Sequence, residues 1–239
     1  MPENYGEDSF SDLAYMNTVP DVVYVGRGDG SVCFIDLRAN HGQGVNHYNW
    51  RCNIHPGRVN SLQRHPTNEH LLLTSGAKMN GYIAIHDLRK QGSNWKPLLT
   101  LRHHSKSING MACSPDGQYI ISVSQDNTIR AYINFTNNEK DVITTKISHD
   151  NHTGRWLSTF RPIFDLKTPN TFAIGSMERP RQIDIYKPNY NNNTNILSIE
   201  SIIHIKHDYL ASVCSRNAIH NTMNIIAGGN SSGRVHILR

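Results

Sequence analysis

The segment SVCFID at 31–36 decides how the whole chain reads, because four others end alike: YIAIHD (82–87), TIRAYI (128–133), QIDIYK (182–187) and RVHILR (234–239). Their penultimate residues, Ile35, His86, Tyr132, Tyr186 and Leu238, recur about every 50 residues. A small residue precedes each segment, at Gly26, Gly76, Ser122, Gly175 and Gly228, in or after a second β-branched run: VVYVG, LLLTSG, YIISVS, TFAIG and NIIAGG. Alternating or continuous apolar runs of this length, bounded by Gly, Asn, Asp and Pro, read as strands. Turn signals such as RGDGS (27–31) and SPDGQY (114–119) connect them.

A third strand-like run opens each unit, in FSDLAYM, VNSLQRH, INGMACS, STFRPIF and LASVCSRNAI, and a fourth follows in PLLTLRHH (97–104) and DVITTKIS (141–148). Four short antiparallel strands in each unit of about 50 residues predict an all-β fold, a WD-repeat β-propeller. The repeats fall at roughly 10–50, 51–104, 105–148, 149–203 and 204–239, one propeller domain over 1–239. Five repeat ends fall short of the common seven-bladed ring, and the polar residues 1–10 are unsuited to completing a last blade. The expectation is an incomplete propeller with about five of seven blades, the C-terminal portion of a longer protein.

The 239 residues are 37% hydrophobic with a mean hydropathy of −0.51, enough for a substantial core. Lys and Arg outnumber Asp and Glu by 24 to 19, a net charge of +5, which permits an anionic partner. No apolar run approaches the roughly 20 residues that span a bilayer, and MPENYGEDSF lacks the pattern of a secretory signal. A soluble, unsecreted protein without membrane contact is expected. Cys33, Cys52, Cys113 and Cys214 lie far apart, three of them in strand patterns, and read as reduced core or near-core thiols. GxSxG, Walker A, HExxH and paired CxxC signatures are all absent, so no enzyme, cofactor or small-molecule substrate is expected. His149 with His152, and His204 with His207, have ligand-like spacing but no obvious carboxylate or thiolate third ligand in a matching repeat, so no metal site is expected. The Asn-rich tract 189–195 reads as a solvated loop.

In a four-stranded meander the second-to-third-strand turns and the inter-blade links leave one face. Parity places Arg27, Arg58, Lys78, Lys106, Arg155, Arg179, Arg181 and Lys206 there, against Asp29, Asp126, Asp150, Glu178 and Asp208. His104, His149, His152 and Trp156 are interleaved with the cations. Cations neutralise phosphates and an aromatic ring stacks on a base or replaces one, so this face reads either as a duplex-DNA surface or as a solvated rim. The loop HDNHTGRWLSTFR (149–161) sharpens the choice: Gly154 before Arg155 and Trp156 gives a tight turn. Trp156 then either projects as a wedge or packs beneath the next strand. For DNA the candidates are Arg27, Lys78, Arg155, Trp156, Arg179 and Arg181, with Pro180 presetting the two arginines beside it. The opposite face carries Asp36-Leu37-Arg38 and Asp87-Leu88-Arg89, each Asp sustaining the blade and each Arg expected to point from its strand end.

HDNHTGRWLSTF, IGSMERPRQIDIY, YLASVCSRNAIH and AGGNSSGRVHI resemble the C-terminal half of the WD repeat-containing protein 76 family and its fungal relatives. That group is similar in turn to DNA damage-binding protein 2. The resemblance covers roughly residues 10–239 and implies a nuclear seven-bladed propeller that binds DNA in the DNA damage response, with preference for UV-damaged duplex in some members. A lesion-inserting hairpin there falls at Gly154, Arg155 and Trp156 here, although the inserted residues differ. Members of the wider group also serve as substrate receptors of cullin-RING ubiquitin ligases through a Trp-Asp-x-Arg motif. It matches His86-Asp87-Leu88-Arg89 and Ile35-Asp36-Leu37-Arg38, both without the Trp, making Arg38, Asp87 and Arg89 the partner-binding candidates. The alternative function is therefore a scaffold that meets a ligase adaptor or chromatin proteins.

Overall fold

The computed structural model describes residues 9–15, 21–38, 50–92, 94–136, 138–154 and 157–239. They fall into two compact units, Met1–Ile108 and Asn109–Arg239. In the first unit β1 (Phe10–Tyr15), β2 (Val22–Arg27), β3 (Ser31–Asp36) and β4 (Trp50–Asn53) form one antiparallel meander. A second comprises β5 (Val59–Arg64), β6 (Leu71–Gly76), β7 (Ile83–Asp87) and β8 (Leu99–Leu101). In the second unit the meanders are β9 (Ile108–Cys113), β10 (Ile120–Ser124), β11 (Thr128–Ile133) and β12 (Ile143–Ser148), then β13 (Ile163–Phe164), β14 (Phe172–Gly175), β15 (Gln182–Asn191) and β16 (Ile196–Lys206). Three further strands, β17 (Cys214–Ile219), β18 (Ile226–Asn230) and β19 (Val235–Leu238), make the last sheet.

Burial follows strand position. Every residue of β6, β7, β9 and β10 is buried, as expected of strands covered on both faces, whereas the outer strands β4 and β12 are only partly buried. In the first unit Tyr24, Val32, Val59, Leu62, Leu72, Leu88 and Trp95 share one core cluster. Its aromatic part places Phe34 and Trp50 in a stack at 6.0 Å and Trp50 edge-on to Trp95 at 5.1 Å. Such pairs contribute about 1 kcal/mol each beyond their burial. In the second unit Ile121, Val123, Ile129, Phe160, Phe172, Ile174 and Tyr186 form the main cluster, and Ala173, Ile183, Leu210 and Cys214 a smaller one. All four cysteines are buried thiols, and burial, then Asp116, pushes Cys113 up to about 12.

One local device recurs in three of the second-to-third-strand turns. Asp29 accepts the backbone N–H and hydroxyl of Ser31, Asp126 those of Thr128, and Asn230 those of Ser232. These Asx turns add to a backbone hydrogen bond at each of the three corners and explain the Asp and Asn signals in the sequence. Gly30 sits there at φ 88, and a Cβ would meet the His55 carbonyl oxygen at 2.0 Å, so the position requires glycine.

Two sequence expectations change. The run 158–164 is strand only at Ile163–Phe164. The Asn-rich tract is a loop only in part, because Asn189–Asn191 belong to β15. Its hairpin with β16 runs to Asn191↔Ile196, held by Asn189 Nδ2 donating to Glu200 at 3.1 Å. Cross-strand bonding to β16 outweighs the poor strand propensity of asparagine.

A candidate nucleic-acid interface

Within each unit, hydrogen bonds join the turns to the links that parity put beside them. The N–H groups of Ile54 and His55, on the link after β4, donate to the Gly30 carbonyl at 3.0 Å. His149, on the link after β12, donates its N–H to the Asn127 carbonyl at 3.0 Å. The cations assigned to these segments nevertheless meet different fates.

Arg27, expected as a phosphate ligand, turns inward. It is 2% exposed at the end of β2, its guanidinium lies 5.8 Å over the Phe10 ring, and its Nε stands 4.0 Å from Asp29. Burial pushes the Cys33 thiol up, against the pull of this same guanidinium. Arg51, which the sequence reading passed over, closes the ion pair on the other Asp29 oxygen and donates to Ser31 Oγ at 3.0 Å. Parity cannot see burial: a residue on the right side of a strand end still turns inward when an acid and an aromatic ring receive it. Lys78 lies exposed on the β6–β7 turn of this unit, next to Met79, which is 72% exposed.

In the second unit Arg179 and Arg181 lie on the β14–β15 turn and Lys206 ends β16, and the three line one hollow of about 560 Å³. His207, Asp208, Leu210, Ala211 and Pro180 complete its walls. Arg179 and Lys206 are exposed, and Arg181 is half-buried because its Nη1 donates to the Met177 carbonyl. Three cations face one acid, Asp208, so the hollow carries net positive charge. Gly175, at the end of β14, makes room for the neighbouring strand: a Cβ would meet the Cys214 carbonyl oxygen at 2.0 Å. On the same turn as His207, the Tyr209 ring stacks on the imidazole at 5.1 Å and is 76% exposed. The sequence reading had Lys206 only among the general cations of this face and passed over Tyr209. The string KHDYL at 206–210 held the signal, a cation and an aromatic residue on a link between strands.

The start of the 149–161 loop is pinned. Asn151, 1% exposed, donates from Nδ2 to the carbonyls of Ser124 and Thr128 at 2.9 and 3.2 Å, and its N–H reaches Asn127 Oδ1 at 3.1 Å. Gly154 follows at φ 65, where a Cβ would meet nothing within 4 Å among the described residues. Arg155 and Trp156 lie outside the described residues.

Two of the histidines noted for their spacing, one from each pair, meet at a buried carboxylate. Asp184 of β15 is 2% exposed and receives His204 Nδ1 at 2.6 Å, with His149 Nε2 at 3.8 Å and Gln182 Nε2 donating at 2.6 Å. Burial pushes its carboxyl up, but the nearby His149, His204 and Ser176 outweigh that and hold it below the usual carboxylate value. The three residues stand far apart in sequence, so no spacing rule joins them. Among the described residues no group of three or more His, Cys, Asp and Glu side chains is arranged to hold a metal ion.

The two Asp-Leu-Arg corners have one geometry. Arg38 donates its backbone N–H and Nε to Asp36 Oδ1 at 3.0 Å each and its Nη2 to Oδ2 at 2.8 Å. Arg89 does the same to Asp87 at 3.0, 2.9 and 2.8 Å. Neither arginine extends away from its strand as expected, because the bidentate fork folds it back onto its own Asp. The guanidinium groups nonetheless stay well exposed. The hydrogen bond from Arg89 holds the Asp87 carboxyl down at about 2.

Against known proteins, residues 95–132 match the WD domain, G-beta repeat family. A chain in the crystal structure of a mitotic checkpoint complex superposes with a TM-score of 0.67 at 16% identity, over 95% of this chain and 62% of that one. That likeness speaks for the fold alone, an all-β WD-repeat β-propeller, here with five blade-like sheets among the described residues. WD repeat-containing protein 76 of Xenopus laevis is 34% identical over 97% of this chain and 37% of its own length, and that of Mus musculus 30% identical over 89% and 32%. The protein of Chaetomium globosum called DNA damage-binding protein CMR1 is 26% identical over 74% of this chain and 34% of its own length. The chain thus spans about a third of the length of the curated relatives it matches. With the blade pattern and the alignment running along nearly all of it, the chain belongs to the WD repeat-containing protein 76 and CMR1 family of WD-repeat proteins.

Proposed function

We propose that this chain acts by binding duplex DNA in the nucleus, in the DNA damage response, as a non-enzymatic WD-repeat protein. The observation that carries the reading is the hollow in the second unit where Arg179, Arg181 and Lys206 stand together with one acid among them. Its relatives named for DNA damage binding support the same reading. Cations so grouped neutralise neighbouring phosphates and release counterions, which costs affinity as salt rises. Lys78 adds a phosphate contact of the same kind. Arg155 and Trp156, beyond the turn at Gly154, probe the duplex and supply a preference for UV-damaged DNA.

The test is binding of labelled irradiated and intact duplex across a salt series. Each phosphate held contributes about 0.9 to the slope of log affinity against log salt, so a steep negative slope is expected. Trp156→Ala should weaken the irradiated duplex more than the intact one, while Lys78→Ala should weaken both alike. Absence of binding at low salt would refute the reading.

The second reading, a protein-interaction scaffold, is favoured by the paired Asp-Leu-Arg corners, which present two exposed guanidinium groups in identical forks. In that reading Arg38, Asp87 and Arg89 meet the adaptor of a cullin-RING ubiquitin ligase. Co-purification with that adaptor, abolished by Arg89→Ala, is the supporting outcome. Co-purification unchanged by Arg89→Ala and Arg38→Ala together would remove it.

A further inference from the structure

We infer that Tyr209 and His207 form a stacking platform for an unpaired nucleobase whose flanking phosphates lie in the basic hollow. The inference rests on the nucleic-acid reading above and deepens it, by naming the form of nucleic acid that the second unit prefers.

Tyr209 is the most exposed large aromatic residue of the described chain, at 76%. Left in water, a ring of that size forgoes the burial that ordinarily orders aromatic side chains. Yet it is positioned. Its ring lies on the His207 imidazole with centroids 5.1 Å apart and planes at 26°, and its backbone N–H donates to His207 Nδ1 at 3.2 Å. The turn beneath it is closed by the Leu210 N–H donating to the His207 carbonyl at 2.9 Å. Leu210 is 4% exposed and locked into the cluster with Ala173, Ile183 and Cys214, so the turn is mounted on the core. The result is a flat π-surface presented to solvent with little ordering left to be done on binding.

Its neighbourhood selects the ligand. His207 belongs both to the platform and to the wall of the hollow, beside Arg179, Arg181 and Lys206, with Asp208 as the one acid. Cations that track a backbone, next to an aromatic surface that accepts a base, are how proteins hold unpaired nucleotides, and the stacking is tolerant of base identity. A paired base inside a duplex shows its edges to the grooves and hides its faces, so the platform gains nothing from an intact duplex. Single strands, and duplexes with an extruded base, expose the faces it needs.

The test uses the full chain and four labelled probes of matched length: single-stranded DNA, the same sequence as RNA, a blunt DNA duplex, and that duplex with one unpaired nucleotide. Wild type should bind the bulged duplex more tightly than the blunt one. Tyr209→Ala should weaken the bulged and single-stranded probes on the order of tenfold, as loss of one stacked base does, and leave the blunt duplex within twofold. Tyr209→Trp should restore binding, and base stacking should quench its added indole fluorescence. Lys206→Ala should instead reduce the salt slope by about 1 on all four probes. Equal binding of bulged and blunt duplexes, or a loss on Tyr209→Ala shared equally by the blunt duplex, overturns the platform and leaves the duplex-binding reading standing. Binding to none of the probes overturns both. The RNA and DNA arms decide which strand chemistry the platform serves.

Discussion

Arg27 and Arg181 flank the same kind of turn, one closing a second strand and the other opening a third, and sequence parity assigns them one role. In the structure Arg27 is 2% exposed, over Phe10 and near Asp29, while Arg181 lines an open hollow with Arg179 and Lys206. The difference lies in what stands opposite. An acid one turn away and an aromatic ring on the adjacent strand draw a guanidinium inward, while a backbone carbonyl at Met177 steadies one at the surface. The two regions teach that a cation's position in the repeat says which side of the sheet it leaves, and its partners say whether it reaches the solvent.

The comparison between inward and outward charge breaks most sharply at Asp184, the fully inward case. Removing a buried carboxylate leaves His204 and Gln182 without their acceptor and His149 without the nearby charge, and Asp184→Ala should cost about 3 kcal/mol in denaturant unfolding. Unfolding at the wild-type midpoint would show that the cluster carries no net stability. Arg27→Ala comes next, with a loss of about 2 kcal/mol from the broken buried pair and unchanged salt dependence of DNA binding. A reduced salt slope with unchanged stability would reverse the assignment and restore Arg27 as a phosphate ligand. The outward pair should behave oppositely. Arg179→Ala and Arg181→Ala should each shift stability by less than about 0.5 kcal/mol and each lower the salt slope by about 1.

The smallest effect falls on the fork of Arg89 and Asp87. The Asp87 carboxyl is held at about 2 by Arg89, below the value of about 3.9 it has in an unfolded chain. Its contribution to stability is therefore present above about pH 4 and is lost as pH falls through about 2. In Arg89→Ala the carboxyl returns toward its ordinary value, so the part of the acid destabilisation due to Asp87 should shrink in thermal unfolding followed from pH 5 to pH 2. An identical acid profile in wild type and variant would show that the fork does not persist in solution.

Much of the fold was legible because its signals are local. Period-two apolar runs mark strands wherever they fall, and Asp29, Asp126 and Asn230 announce Asx turns through bonds to residues two positions away. The short β13 and the strand-bound part of the Asn-rich tract were misread, since pairing with a neighbouring strand sets a strand's length more than the propensity of its own residues.

The repeating strands, the turn chemistry, the buried thiols and the family to which the chain belongs were all legible in the order of the residues. Which charges face inward was settled by folding. It turned Arg38 and Arg89 back onto Asp36 and Asp87, drew His149 and His204 onto Asp184, and set Tyr209 beside the hollow of Arg179, Arg181 and Lys206. A strand's alternation depends on residues one or two positions apart, whereas the fate of a charge depends on partners that only folding brings within a few ångströms.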